Sequence, residues 1–177
     1  MSKRVYLVRY GAVPEVARAT ASEELSCERG QSIMLKSDRG LQSAVLLDAV
    51  TSRADSRAES GLADDVTFEI VRVANGNDQL EITRRDEEHL ARCQEWQERI
   101  VEWQLKIELL DVELTLDESP KTILYVLNDR GAETTRLALL AAAAGYGVIE
   151  VQPVTAGGLT PISRGGCGSG GCGSKKH

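Results

Sequence analysis

The amino-acid sequence predicts an α+β protein in three parts: a β-rich N-terminal module over residues 1–74, an αββαβ module over residues 75–154, and a flexible Gly/Cys-rich tail over residues 155–177. Short apolar runs with a period of two in the first module predict strands. A long stretch with helical periodicity opens the second module, and two alternating runs, a second helix and a third run follow it. The tail holds eight glycines and no apolar period, which is typical of disorder.

The composition disfavours some classes of function. The 177 residues are 42% hydrophobic, which is enough for a packed core, and they carry a formal net charge of −6. That charge disfavours direct binding of nucleic acid, because such proteins neutralise phosphates with Lys and Arg. The first residues lack a signal-peptide pattern, and no apolar run is long enough to span a membrane. We therefore expect a cytoplasmic protein without membrane insertion, in which Cys27 and Cys93 are reduced, buried thiols.

Alternating residues near the N-terminus predict the first strand. It covers Arg4–Tyr10, with Val5, Leu7 and Arg9 on one face. A further apolar run at residues 66–73 predicts the strand that ends this module.

A hairpin is predicted between these two strands. Apolar runs at residues 30–36 and 41–47 flank Ser37-Asp38-Arg39-Gly40, which is a turn signal. Residues 49–65 are rich in Ser, Ala, Arg and Asp and have no apolar period, which indicates an exposed connection.

A long amphipathic helix is predicted to open the second module. Asn77 or Asp78 is the expected N-cap, and the helical spacing is strongest from Glu87 to Trp103. Glu88–Arg92 and Glu95–Arg99 are favourably ordered pairs on the outer surface. The apolar stripe that should face the core consists of Ile82, His89, Cys93, Trp96, Ile100 and Trp103.

Strict alternation over residues 110–117 predicts a strand with one apolar and one polar face. The predicted core-facing residues are Leu110, Val112, Leu114 and Leu116. The predicted outward residues are Asp111, Glu113, Thr115 and Asp117.

The rest of this module completes the αββαβ pattern. Residues 121–127 and 148–154 are predicted strands, and residues 133–144 are a predicted helix. Gly145 stands where a left-handed cap is expected. The inward residues of this helix are Leu137, Leu140, Ala141 and Ala144.

The sequence offers little catalytic chemistry. His89 lies on the apolar stripe, which favours a hydrogen-bonded packing histidine over a catalytic one. Asp111, Glu113 and Asp117 could form a carboxylate cluster, although a solvated sheet face is the favoured interpretation. Because no nucleophile lies in a recognisable pattern with a base, we expect a protein that is not an enzyme.

The tail contains a pair of cysteines, Cys167 and Cys172, five positions apart in a glycine-rich segment. Two thiols are half of a four-ligand zinc or iron–sulfur site. A disordered tail with incidental cysteines is the favoured alternative.

Several segments resemble one family. Residues 111–117 read Asp-Val-Glu-Leu-Thr-Leu-Asp and are followed by Lys121, a string that resembles the core of the bacterial RicT/YaaT-like family, which carries the PSP-one C-terminal domain. Val71-Arg72-Val73-Ala74, Asp38-Arg39-Gly40-Leu41 and the position of Cys93 in the long helix also resemble that family. The chain departs from it in the last strand, which lacks two arginines, in the position of Arg136, and in the tail, which keeps only part of the first cysteine motif.

The resemblance implies a function. Members of the RicT/YaaT-like family are non-enzymatic regulatory adaptors that bind small partner proteins and can hold iron–sulfur clusters. They act in messenger-RNA processing, with a ribonuclease complex, and in cell-fate regulation. It implies partner contacts at Asp111, Glu113, Asp117 and Arg136. Cys167 and Cys172 would then contribute to an iron–sulfur cluster or zinc site shared within an oligomer or complex. The alternative is a metal-binding or iron–sulfur redox sensor that uses these tail cysteines.

Overall fold

The computed structural model describes residues 3–22, 24–50, 67–127, 131–147, 149–155 and 158–159. It confirms the α+β class: a five-stranded closed barrel is followed by a four-stranded sheet with two helices. The predicted connection at residues 49–65 lies outside the described residues from residue 51 onward, and so does nearly all of the predicted tail.

Strands β1 to β5 form the barrel: Lys3–Tyr10, Glu15–Ser22, Ser32–Lys36, Leu41–Ala49 and Thr67–Val73. Their order around the barrel is β1-β2-β5-β3-β4, with β4 closing onto β1. The β2–β5 pair is parallel and the other pairs are antiparallel.

The predicted hairpin is confirmed as β3–β4 and the predicted strand at 66–73 as β5. The sequence interpretation missed β2, in which small buried residues, Ala19 and Ala21, alternate with polar ones.

The prediction that Val5, Leu7 and Arg9 of β1 point into the core is wrong. Tyr6, Val8 and Tyr10 are buried, whereas Arg9 is exposed. The Tyr10 ring packs edge to face on Phe68 of β5, with 5.2 Å between centroids. Burying the large tyrosine rings removes more apolar area from water than burying Val5 and Leu7 would, which explains the choice of face.

Helix α1 (Gly76–Glu102) begins earlier than predicted, because its N-cap is Asn75 and not Asn77 or Asp78. The Asn75 side chain accepts a hydrogen bond from Asp78 N at 3.0 Å, while the Asp78 carboxylate accepts one from Asn75 N at 2.8 Å. This reciprocal capping box satisfies two backbone donors at the helix start. The predicted apolar stripe is confirmed, with Trp96 and Ile100 buried, and both predicted ion pairs form.

Acid should weaken this helix start. Asp78 also pairs with Arg72, and despite partial desolvation these hydrogen bonds hold its pKa below the ordinary value. A carboxyl group with a lowered folded-state pKa stabilises the fold above its unfolded-state pKa, and this contribution is lost as the pH falls through the folded-state pKa. We expect Asp78→Asn to lower the free energy of unfolding by about 1 kcal/mol at pH 7 and by much less near pH 3. Urea melts at the two pH values test this, and an equal loss at both would contradict it.

The second module is a sheet of four strands with the order β6-β7-β8-β9. The strands are Glu108–Leu114, Thr122–Leu127, Ile149–Thr155 and Gly158–Leu159. Helix α2 (Ala132–Ala143) makes the crossover between the parallel strands β7 and β8. The αββαβ order and the left-handed Gly145 are as predicted.

A bulge in β6 breaks the predicted alternation. Leu109 pairs with Val126 and Asp111 with Tyr125, so Leu110 is an extra residue in the ladder. Leu110 is 43% exposed. The prediction that it belongs to the core is therefore wrong.

Four further side chains differ from the prediction in this module. Leu114 and Leu116 were expected in the core, but both are only partly buried and neither belongs to the core between the helices and the sheet. Thr115 was expected to face outward and is fully buried, because its hydroxyl accepts a hydrogen bond from Lys121 N at 2.9 Å in the turn after β6. Ala144 was expected in the core and is exposed, because α2 ends at Ala143. The core between the helices and the sheet includes Trp96, Ile100, Leu105, Ile107, Val112, Leu124, Val126, Leu137 and Ala141.

Among the residues that the structure describes, no helix has both the length and the apolar character needed to cross a membrane.

Candidate functional site

The junction between the barrel and the sheet is built from the β3–β4 turn and the end of β6. Leu116 N donates a hydrogen bond to Leu41 O at 2.6 Å, and Leu41 N donates to Asp117 Oδ2 at 3.1 Å. Lys121 Nζ donates to Arg39 O at 3.2 Å. These bonds join backbone segments about 75 residues apart in the sequence and position the two modules against each other.

Glu113 is at the centre of this junction. Its carboxylate accepts hydrogen bonds from Ala12 N at 3.0 Å, from Gln42 Nε2 at 2.7 Å and from Tyr125 Oη at 2.6 Å. The prediction that Glu113 belongs to a solvated sheet face is wrong, because the barrel covers that face. Charge-assisted bonds of this kind are strong, so Glu113 is an internal link between the modules.

Arg39 is buried beside Glu113, with 6% of its surface exposed. It forms an ion pair with Glu15 at 2.8 Å, lies 3.8 Å from Glu150, and donates a hydrogen bond to Tyr125 Oη at 3.2 Å. Its guanidinium also lies within 6 Å of the ring centroids of Tyr10 and Tyr125. Burial raises the pKa of both tyrosines well above the ordinary value, so they stay neutral hydrogen-bonding groups.

Two segments that are distant in the sequence therefore meet at this junction. Asp38-Arg39-Gly40-Leu41 supplies the barrel side of the junction, and Glu113 and Asp117 supply the sheet side. All three predicted partner-contact carboxylates have partners inside the chain, since Asp111 lies against His89. Arg136 is half exposed and lies 4.0 Å from Glu133. Contact of these four residues with a partner stays a prediction, and Arg136 is the most accessible of them.

A cleft of about 540 Å³ lies between the barrel and α1. Residues from both modules line it, among them Arg9, Gly11, Gln79, Arg85, His89 and Glu113. The Arg85 side chain is held in place, because it donates to Glu81 at 2.7 Å and to the carbonyl oxygens of Leu114 and Thr115. Arg85 therefore ties α1 to the end of β6 at the wall of the cleft.

Beside this cleft lies a group of three potential metal ligands, which we call the α1–β6 cluster: His89, which lines the cleft, Cys93 and Asp111. His89 Nε2 lies 2.5 Å from Asp111 Oδ1 and 3.5 Å from Cys93 Sγ, and Cys93 Sγ lies 3.9 Å from Asp111 Oδ1. Asp111 Oδ1 also accepts a hydrogen bond from Val112 N at 2.6 Å. The prediction that His89 is hydrogen-bonded is confirmed. The prediction that Asp111 faces outward into solvent is wrong, because its carboxylate contacts His89.

Burial raises the pKa of the Cys93 thiol, and the negative charge of the nearby Asp111 raises it further. The thiol is therefore protonated near neutral pH and is a poor nucleophile in the metal-free chain. The prediction of buried thiols is right only in part, because Cys93 and Cys27 are both partly exposed. The predicted tail ligands Cys167 and Cys172 lie outside the described residues.

Sequence reasoning had one usable signal for the α1–β6 cluster. His89 and Cys93 are four positions apart and so share one face of a helix. Asp111 could not be assigned to that face, because strict alternation directs it away from the side chains that contact α1. In the folded chain α1 lies against β6, the edge strand of the sheet, and Asp111 contacts His89 there.

A second surface feature is the outer face of α1, defined here by Leu90, Gln94, Gln97 and Val101. These residues recur at spacings of 4, 3 and 4, and all are exposed. Leu90 is 78% and Val101 67% exposed. The exposed carboxylates beside this face are Glu87, Glu98 and Glu102.

No family model matches the chain, and neither a curated protein nor a solved structure matches it.

Proposed function

We propose that this protein is a non-enzymatic, cytoplasmic regulatory adaptor that binds a partner protein through the outer face of α1. The observation that carries the proposal is the exposure of Leu90 and Val101 on one helical stripe. Apolar side chains in such a stripe are typical anchors for an amphipathic helix of another protein. The internal bonds of Glu113 and Asp117 support the choice of this face, because they leave those carboxylates less available to a partner.

The charge of the outer face favours one kind of partner. The carboxylates of Glu87, Glu98 and Glu102 border this outer face. A partner helix with an apolar seam and flanking Lys or Arg would complement both features. Two copies of this chain would instead bring acidic rows together, which disfavours self-association through this face.

The resemblance to the RicT/YaaT-like family supports a more specific role. By that resemblance, the partner belongs to a complex that processes messenger RNA, such as a ribonuclease complex, or that controls cell fate. The adaptor would contribute protein contacts and no turnover of its own.

Crosslinking in cells tests the adaptor proposal. A photo-crosslinking amino acid at Gln94, on the full-length chain in its native host, should form an adduct with one protein. We expect Leu90→Glu to reduce that adduct by at least about tenfold, because a charge replaces an apolar anchor. Leu139→Glu is the matched control, since Leu139 is a comparably exposed leucine on α2, at 66%. Neither substitution should change the urea midpoint, because both side chains are exposed.

Mass spectrometry of the adduct completes the test. A crosslink in a basic amphipathic helix of the partner supports the proposed surface, and a partner from an RNA-processing complex supports the family role. An adduct that survives Leu90→Glu as well as Leu139→Glu would reject the outer face as the binding surface, as would a crosslink to a second copy of this chain.

A further inference from the structure

We propose that His89, Cys93 and Asp111 form a binding site for a divalent cation of the zinc class. This inference is independent of the adaptor proposal, because it concerns a different face of α1 and a different kind of ligand. It also differs from the predicted site at Cys167 and Cys172, since none of its ligands lies in the tail.

The fold brings the three ligands together in two ways. The i, i+4 spacing places His89 and Cys93 one turn apart on the face of α1 that packs on the sheet. β6 is the edge strand of its sheet and α1 lies against it, so the Asp111 carboxylate contacts His89 of α1 at this edge.

The donor set matches the chemistry of zinc. An imidazole nitrogen, a thiolate sulfur and a carboxylate oxygen are the three ligand types that Zn²⁺ uses in proteins. Tetrahedral coordination with ordinary bond lengths requires N···S and S···O separations of about 3.6 Å and an N···O separation of about 3.4 Å. The observed separations from Cys93 Sγ, 3.5 Å to His89 and 3.9 Å to Asp111, are close to these values.

The third separation changes when the cation binds. His89 Nε2 and Asp111 Oδ1 are 2.5 Å apart and share a hydrogen bond in the metal-free chain. A cation would replace this bond, and the two atoms would move apart by about 1 Å to reach coordination distance. His89 is 36% exposed, so a rotation of its side chain can supply this movement.

The surroundings of the cluster resemble those of built metal sites in two respects. The Val112 backbone N–H donates to Asp111 Oδ1 and so holds the carboxylate in place from outside the ligand set. His89 also lines the cleft between the barrel and α1. Three protein ligands leave one tetrahedral position, which water or a donor atom entering from the cleft would fill.

Metal titration of the full-length chain tests the proposal. The starting protein carries Cys167→Ser and Cys172→Ser, which remove the tail thiols and leave the cluster intact. Zn²⁺ is titrated by calorimetry against a competing chelator, and Co²⁺ is added separately as a spectroscopic probe. We expect one equivalent of Zn²⁺ to bind, and Co²⁺ to give a thiolate charge-transfer band together with the intense d–d bands of tetrahedral coordination.

Single substitutions assign the ligands. Loss of a residue that only supports a metal ligand lowers metal affinity by roughly 10–100-fold. Loss of a direct ligand should cost more, so we expect Cys93→Ser, His89→Gln and Asp111→Asn each to lower zinc affinity by at least about 100-fold. Cys27→Ser is the matched control, because Cys27 is the other partly exposed free cysteine and packs against the barrel core. It should leave the affinity unchanged. Circular dichroism of each variant separates loss of ligation from loss of fold.

Two results would overturn the proposal. The first is the absence of stoichiometric Zn²⁺ binding by the folded protein that lacks the tail thiols. The second is one bound equivalent that persists at unchanged affinity in Cys93→Ser or Asp111→Asn. If Cys93→Ser does not fold, the Co²⁺ spectrum of the parent protein still decides, since the absence of a thiolate band there excludes Cys93 as a ligand.

Discussion

Replacing Arg39 by Ala should lower the free energy of unfolding by about 3–5 kcal/mol, which is the range for removing one partner of a buried ion pair. The Arg39 side chain is 7% exposed and lies 2.8 Å from Glu15, so its loss would leave that carboxylate without its cation. Tyr10 and Tyr125 would also lose the guanidinium beside their rings. The effect is large because one side chain contacts both the barrel and the sheet.

Urea denaturation measures this loss, and Arg84→Ala is the control. Arg84 also contacts two glutamates, Glu81 and Glu88, but its side chain is 55% exposed, so its removal should change the free energy of unfolding little. Adding Glu15→Gln to Arg39→Ala should recover part of the stability, because it removes the unpaired charge. A loss below about 1 kcal/mol for Arg39→Ala, or no recovery with Glu15→Gln, would contradict the assigned role.

Replacing Gly40 by Ala should destabilise the chain by about 3 kcal/mol, from a strained backbone and from overpacking at the junction. Gly40 has a φ of +137°, which L side chains rarely adopt. A Cβ there would clash with the Asp117 carboxylate and lie 3.3 Å from Thr115 Cγ2. Because Asp117 also accepts the hydrogen bond from Leu41 N, the turn cannot move away without losing that bond.

Gly30→Ala separates the two causes. Gly30 has a φ of +84° but no atom within 4 Å of an added Cβ, so it should lose only the backbone part, about 1–2 kcal/mol. Adding Asp117→Ala to both variants should reduce the difference between them, because it removes the clash at Gly40 alone. Equal losses for Gly30→Ala and Gly40→Ala in urea melts would mean that the junction does not exclude a side chain at residue 40.

The outcome at Leu110 shows where pattern reasoning stopped being sufficient. Alternation correctly indicated a strand in this region and a buried Val112. It could not indicate the bulge, because a bulge depends on how β6 pairs with β7, and β7 follows only after an intervening turn. One extra residue in the ladder left Leu110 exposed, and Asp111 contacts His89 where α1 lies against the edge strand β6. The candidate metal site was therefore only half visible in the sequence, in the spacing of His89 and Cys93.

The sequence by itself determined the elements whose signals are local. Helical spacing and i, i+4 charge pairs identified α1, the Asp-Arg-Gly turn identified the β3–β4 hairpin, and Gly145 marked the end of α2. Tertiary structure alone decided the inward face of β1, the parallel β2–β5 contact that closes the barrel, and the covering of Glu113 by the barrel. The reason is physical: propensity and periodicity act within a few residues, whereas burial, strand partners and ion pairs depend on segments that meet only after the chain has folded.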